Sequence, residues 1–207
     1  MMMRIDSVAA RPDRAGRYAV KFADGSILRL YRQTVEDFGL YPGCELGEEA
    51  MARLREANGA MSAKMRAVRI VAASNVSRRD LEERLIRKGE DETQAKAAVE
   101  WMEELNLVDD RETAAQIVAR CAARGYGKAR AKQMLFEKKI PKEYWDEALE
   151  DFPDQTEYIL KFLHTKLTDP EDPRLVKKCV DALLRRGHSY GQVRSAMRQM
   201  GQEFPED

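Results

Sequence analysis

The sequence predicts a mainly α protein: three tandem three-helix repeats in an elongated array, preceded by a small N-terminal β-hairpin segment. Three observations carry this. Charged residues make up 35% of the 207 positions, against only 12 Gly and 7 Pro, a composition suited to long helices with charged outer faces. From Glu48 onward, apolar residues recur at helical spacing. Finally, Leu85-Ile86-Arg87-Lys88-Gly89 returns as Leu135-Phe136-Glu137-Lys138-Lys139 fifty residues later and as Leu183-Leu184-Arg185-Arg186-Gly187 ninety-eight residues later, with Val99, Leu149 and Met197 in the same registers. A period near fifty with one supersecondary unit per repeat describes modules of small core that stack on their neighbours. The expected boundaries are 1–47 for the extension and 48–108, 109–153 and 154–207 for the repeats.

In the extension, Tyr18, Val20 and Phe22 alternate with Ala19 and Lys21, the period of a half-buried strand. Asp24-Gly25 provides the positive φ of a hairpin turn, and Ile27 to Tyr31 forms the return strand. Two strands alone are marginal in water, so the hairpin is expected to lean on a helix or to gain a third strand from Ile5 to Ala9. Packing is preferred to offering an edge to a partner. A short helix around Thr34 to Phe38 and a turn at Pro42-Gly43 follow.

The first repeat reads as a helix through Met65, Val68, Ile70 and Val71, and a second capped by Ser77 that carries Leu81, Leu85 and Ile86. Its third helix opens at Asp91 or Thr93, with Ala95, Ala98, Val99, Met102 and Leu105 on one face and Trp101 sealing a seam. The second repeat places Ala114, Ile117, Val118 and Cys121 on its first helix, and Ala131, Met134, Leu135 and Phe136 on its second. The third helix there begins at Pro141, where a first turn tolerates proline. In the last repeat the corresponding sets are Tyr158, Ile159, Phe162 and Leu163; Leu175, Cys179, Val180, Leu183 and Leu184; and Val193, Met197 and Met200.

Net charge is zero, with 36 basic and 36 acidic residues, but the charges are segregated by helix. Arg124 to Lys139 holds six basic residues against one acid, and Arg174 to Arg186 five against one. The third helices of the first two repeats are acidic instead. Basic C-termini and acidic N-termini suit the helix macrodipole, which accounts for Arg87-Lys88, Lys138-Lys139 and Arg185-Arg186. It does not account for Lys128, Arg130 and Lys132, which open a helix where positive charge is disfavoured. A basic stripe along the second helices suits a polyanion or an acidic protein surface. The contact candidates are Arg124, Lys128, Arg130, Lys132, Lys138 and Lys139, then Lys177, Lys178, Arg185 and Arg186. With no aromatics interleaved for base stacking, nucleic-acid contact is expected to fall on phosphates.

No P-loop or GxGxxG is present, and Gly125-Tyr126-Gly127-Lys128 is too short for either. His164 and His188 lie in no metal pattern with Cys44, Cys121 or Cys179, which are read as reduced and mostly buried. No nucleophile–base pair can be proposed, so a binding protein without catalytic residues, cofactor or metal is expected. No eighteen-residue apolar run or leader-like segment is found, and a soluble cytoplasmic protein is the expectation.

Leu81 to Gly89 followed by Glu104-Leu105-Asn106-Leu107-Val108-Asp109-Asp110, the run Gly125-Tyr126-Gly127-Lys128 with Leu135 to Ile140, and Leu183 to Tyr190 together resemble the RecX regulatory proteins of bacteria. The Asp24-Gly25 hairpin resembles the N-terminal extension many members carry. Two departures stand out: Lys139 replaces a glycine, so that helix end is expected to lack a left-handed cap, and His188 replaces an aromatic, most often Phe. The resemblance implies a non-enzymatic modulator that lies in the groove of the RecA filament on single-stranded DNA. Such a modulator limits filament growth, ATP hydrolysis, strand exchange and co-protease activity. It is expected to be monomeric when free, to reach single-stranded DNA through the filament or weakly by itself, and to use no membrane. The alternatives are a helical DNA-binding module and a protein–protein adaptor unrelated to RecA.

Overall fold

The computed structural model describes residues 2–201. Within these the chain is mainly helical, with four short strands confined to the first 46 residues. No helix among the described residues is long and apolar enough to cross a membrane. The chain divides into two compact units, Met1–Asn75 with Leu81–Val108, and Val76–Asp80 with Asp109–Asp207.

In the first unit, β1 (Met3–Val8), β2 (Arg17–Phe22), β3 (Ile27–Tyr31) and β4 (Glu45–Leu46) form an antiparallel sheet in the order β3-β2-β1-β4. The hairpin therefore gains the third strand it needs, and also a fourth of two residues that pairs Met3 with Leu46 and Arg4 with Glu45. Alternation buries Val20 and Phe22 while Lys21 stays in solvent. After α1 (Arg32–Asp37), the 26-residue α2 (Glu48–Ala73) serves two neighbours. Its first turns place Met51 and Leu54 in one core with Ile5, Val20, Phe22, Leu30 and Leu46 of the strands. Its later turns bury Ala63 and Ala67, and α4 (Glu92–Glu104) brings Ala95 and Ala98 to its own buried face, so α2 and α4 meet through small side chains. Burial of each large apolar side chain contributes about 1.5–3 kcal/mol, and the sheet is held chiefly through α2.

Asp91 opens α4, accepting from the backbone N–H groups of Thr93 and Gln94. Leu105 does not join the apolar face of α4 as expected. It is the C-terminal cap, 47% exposed, just before the left-handed Asn106. Trp101 is half-buried, with Lys64 Nζ 5.0 Å from its ring centroid.

Helix α3 (Arg78–Arg87) begins among the residues of the second unit, Ser77 Oγ accepting from the Asp80 N–H. That unit continues through α5 (Asp110–Ala123), α6 (Lys128–Glu137), a 3₁₀ turn at Lys142–Tyr144 and α7 (Trp145–Glu150). Their shared core is Ala114, Ile117, Val118, Cys121, Ala131, Leu135, Ile140 and Leu149. Helices α8 (Thr156–Lys166), α9 (Pro173–Arg185) and α10 (Tyr190–Gln199) enclose Ile159, Leu163, Val176, Cys179, Val180, Leu183, Val193 and Met197. The proline expected at the start of the third helix is instead the cap before the 3₁₀ turn, with ψ at 140°. Cys121 and Cys179 are buried free thiols and Cys44 is partly so; burial pushes the first two above the ordinary thiol pKa.

Lys139 departs from expectation. It takes φ +57°, as a glycine would, and the helix end closes with Lys139 N–H donating to Phe136 O and Ile140 N–H donating to Leu135 O. The left-handed cap is present without the glycine, because five-to-two and six-to-one bonds of this kind satisfy carbonyls that α6 would otherwise leave open.

Candidate functional site

In the second unit, the residues that open α3 and α6 lie against the ends of α6 and α9. Ser77 Oγ, at the start of α3, donates to the carbonyl of Lys138 at the end of α6, 2.7 Å away. Gly127 N–H, at the start of α6, donates to the carbonyl of Arg186 at the end of α9 at 2.9 Å, and Ala129 N–H donates to Gly187 O at 3.2 Å. Ser77 and Gly127 are equivalent under the fifty-residue shift, as Lys138 and Arg186 are under the shift between the later repeats. Both contacts link a helix start to a following helix end at equivalent positions, the first through a side-chain hydroxyl and the second through backbone amides. Contact is close enough that a Cβ on Gly127 would lie 2.0 Å from Gly187 O, and one on Gly187 2.2 Å from Arg130 N.

This joint bears on the cations of the first turn of α6, Lys128 and Arg130. The carbonyl end of α9 carries about half a negative charge, and it abuts the first turn of α6. Positive side chains there meet a negative pole as well as their own helix's positive one. Arg130 is half-buried and lies 3.5 Å from Glu137.

Around the α6/α9 joint, Arg186 lies over three rings, 5.3 Å from Phe162, 5.8 Å from Tyr158 and 6.0 Å from Tyr126, and donates to Tyr158 Oη. His188, 3% exposed, stacks on Tyr158 with centroids 5.9 Å apart. Its Nε2 lies 3.1 Å from Gly125 O; a carbonyl only accepts, so Nε2 carries the proton. Nδ1 is buried with no hydrogen-bond partner among the described residues. Burial, aided by the Arg186 charge, holds the imidazole below its ordinary pKa despite the Gly125 carbonyl. The position marked as unusual is thus a buried, neutral filler of the joint.

The ten candidate cations fall into two groups. Arg124, Lys128, Lys132, Lys177, Lys178 and Arg185 are exposed. Arg130, Lys138, Lys139 and Arg186 are half-buried and engaged in joints or helix ends.

A feature outside the predicted set lies beside Lys139. Phe136, which lies on α6 as expected, is 69% exposed. It borders a groove of about 520 Å³ floored by Ile140, Pro141 and Trp145 and flanked by Arg79 and Lys142. Trp145 is anchored by its Nε1–H donating to Ile140 O at 3.0 Å. The sequence carries a signal for this: Met134, Leu135 and Phe136 are consecutive, and adjacent residues turn 100° apart on a helix, so one narrow core cannot take all three.

Comparison with known proteins places the chain. Residues 109–149 match the model of the second three-helix domain of RecX. A regulatory protein RecX of Chlorobaculum tepidum is 34% identical over 140 residues, covering 66% of this chain and 87% of that protein. The chain belongs to the RecX family. A second RecX, of Clostridioides difficile, is 23% identical over 206 residues, covering 97% of this chain and 95% of that one. The crystal structure of a regulatory protein RecX shares the fold at a TM-score of 0.65, with 22% identity over 95% of this chain and 99% of that chain. RecX from Lactobacillus salivarius gives a TM-score of 0.61 at 19% identity, covering 70% and 98%. As in those RecX structures, the architecture is a series of helical modules, and the chain is a RecX-type regulator.

Proposed function

We propose that this RecX-family protein is a non-enzymatic regulator of RecA that binds the filament on single-stranded DNA and restrains its growth, ATP hydrolysis, strand exchange and co-protease activity. Family membership carries the reading. The exposed cations of α6, α9 and the C-terminal cap of α5 support it, since Arg124, Lys128, Lys132, Lys177, Lys178 and Arg185 offer positive charge to an acidic protein face or a bound strand. The exposed Phe136 groove adds apolar area of the kind that marks protein contacts. The protein is read as a cytoplasmic monomer when free, meeting DNA through the filament.

The test is RecA-dependent ATP hydrolysis on single-stranded DNA with the full chain added. Inhibition at substoichiometric to stoichiometric amounts is expected. Unchanged hydrolysis at a stoichiometric amount would remove the reading.

A further inference from the structure

The first unit contains a basic cavity of about 470 Å³, within the range of ligand clefts. Three segments distant in sequence supply its cations: Arg17 from β2, Arg66 and Arg69 from α2, Arg84 and Lys88 from α3 and its C-terminus. Among the described residues, no acidic side chain lines it.

Three of the guanidinium groups are held in place from behind. Asp13 accepts from Arg17 Nε at 3.1 Å and from its Nη2 at 2.9 Å. Glu90, whose side chain is only 6% exposed, pairs with Arg66 Nε at 2.6 Å and accepts from Ser62 Oγ at 3.0 Å. Arg69 Nη2 donates to Ala15 O at 2.8 Å and to Tyr31 Oη at 3.5 Å. Each fork keeps further N–H donors, because a guanidinium has five. Side chains fixed in this way lose little freedom on binding an anion.

Charge arithmetic decides between a ligand site and simple helix capping. Asp13 and Glu90 offset Arg17 and Arg66. Leaving Arg84 aside, Arg69 and Lys88 remain, and the carbonyl ends of α2 and α3 supply only about half a negative charge each. A positive surplus is left on two exposed side chains that line a concave space. We propose that this cavity binds a phosphate group. Planar forks with preset geometry match phosphate oxygens. The group can come from a nucleic-acid backbone or from free phosphate, which share this chemistry. The site is independent of the RecA reading.

The test uses the full-length chain. Thermal unfolding is followed in sodium phosphate and in sodium chloride at equal ionic strength, and anisotropy of a labelled single-stranded oligonucleotide is followed across salt. Phosphate at ten times its Kd is expected to raise Tm by about 3–5 °C. The shift should vanish in Arg69→Gln/Lys88→Gln and shrink in Lys88→Gln, whose exposed side chain makes no hydrogen bond or ion pair among the described residues. It should persist in the equally charged control Arg29→Gln/Arg87→Gln, on exposed positions outside the cavity. If the phosphate belongs to nucleic acid, the salt slope of oligonucleotide binding falls by about one to one and a half in the cavity variant alone; an unchanged slope with a lost Tm shift assigns the site to free phosphate. Equal Tm in phosphate and chloride, or equal responses from cavity and control variants, overturns the proposal. A chain that binds phosphate here yet leaves RecA hydrolysis untouched keeps this site and removes the RecA reading.

Discussion

Lys139 shows how one residue can hold a backbone conformation against its own preference. A non-glycine residue at φ +57° carries about 1–2 kcal/mol of steric cost, while the two closing hydrogen bonds of α6 hold it there. Lys139→Gly is expected to stabilise the protein by about 0.5–1 kcal/mol in urea denaturation, after the greater freedom of glycine in the unfolded chain is subtracted. A loss of stability would show that the lysine side chain contributes more than its backbone costs. His188 gives the other residue-scale prediction. The folded state disfavours its protonation, so below pH 6.5 the unfolded chain binds more protons and stability falls as pH drops towards the depressed folded pKa. His188→Phe should remove that part of the slope between pH 6.5 and about pH 5, where carboxylates have yet to titrate. An unchanged slope would place the pH dependence on other groups.

At the scale of elements, the α6/α9 joint is defined by what it excludes. Gly89 and Gly187 have nearly the same left-handed φ, +90° and +88°, at equivalent helix ends. A Cβ on Gly89 meets nothing within 4 Å, whereas on Gly187 it meets backbone. Gly89→Ala should therefore lose about 1 kcal/mol from backbone strain alone. Gly187→Ala should lose at least about 2 kcal/mol more, since the clash breaks the packing of α6 on α9. Equal losses in chemical denaturation would mean the joint adds nothing to stability. The start of α9 is built differently, with Asp172 accepting from Arg174 N–H and Pro173 removing a donor. Helix periodicity, caps such as Ser77 and Asp91, and the alternation of β2 were all legible in the sequence, because local spacing produces them. The joints were not, since their acceptors are backbone carbonyls that every residue possesses. Strand β4 was hidden too, as two residues have no period and pair only because β1 is beside them.

Across the whole molecule, zero net charge conceals cations gathered into distinct places. The second helices of the later repeats were readable as basic runs, because their residues are contiguous. The cavity of the first unit was not, because Arg17, Arg66 and Lys88 come together only on folding. Phe136 is a related case: its place on α6 was legible, while its exposure depends on which side of the module faces the core. In the regulator reading, Lys128→Ala/Lys132→Ala should weaken inhibition of RecA-dependent ATP hydrolysis several-fold and flatten its salt dependence, with helix content by circular dichroism unchanged. Both side chains are exposed, so full potency in that variant would move the contact surface away from α6.

The equivalent positions of the Ser77–Lys138 and Gly127–Arg186 contacts, one made by a side chain and one by the backbone, bear on how such a chain can arise. A module that bears a donor at one end of its second helix and an acceptor at the other brings both halves of its own connector when its coding segment is duplicated. A new copy can then join an existing one without first evolving an interface. Later substitution is free to recolour the outward faces one copy at a time, which is the pattern of like cores and unlike charges that the three helical sets display.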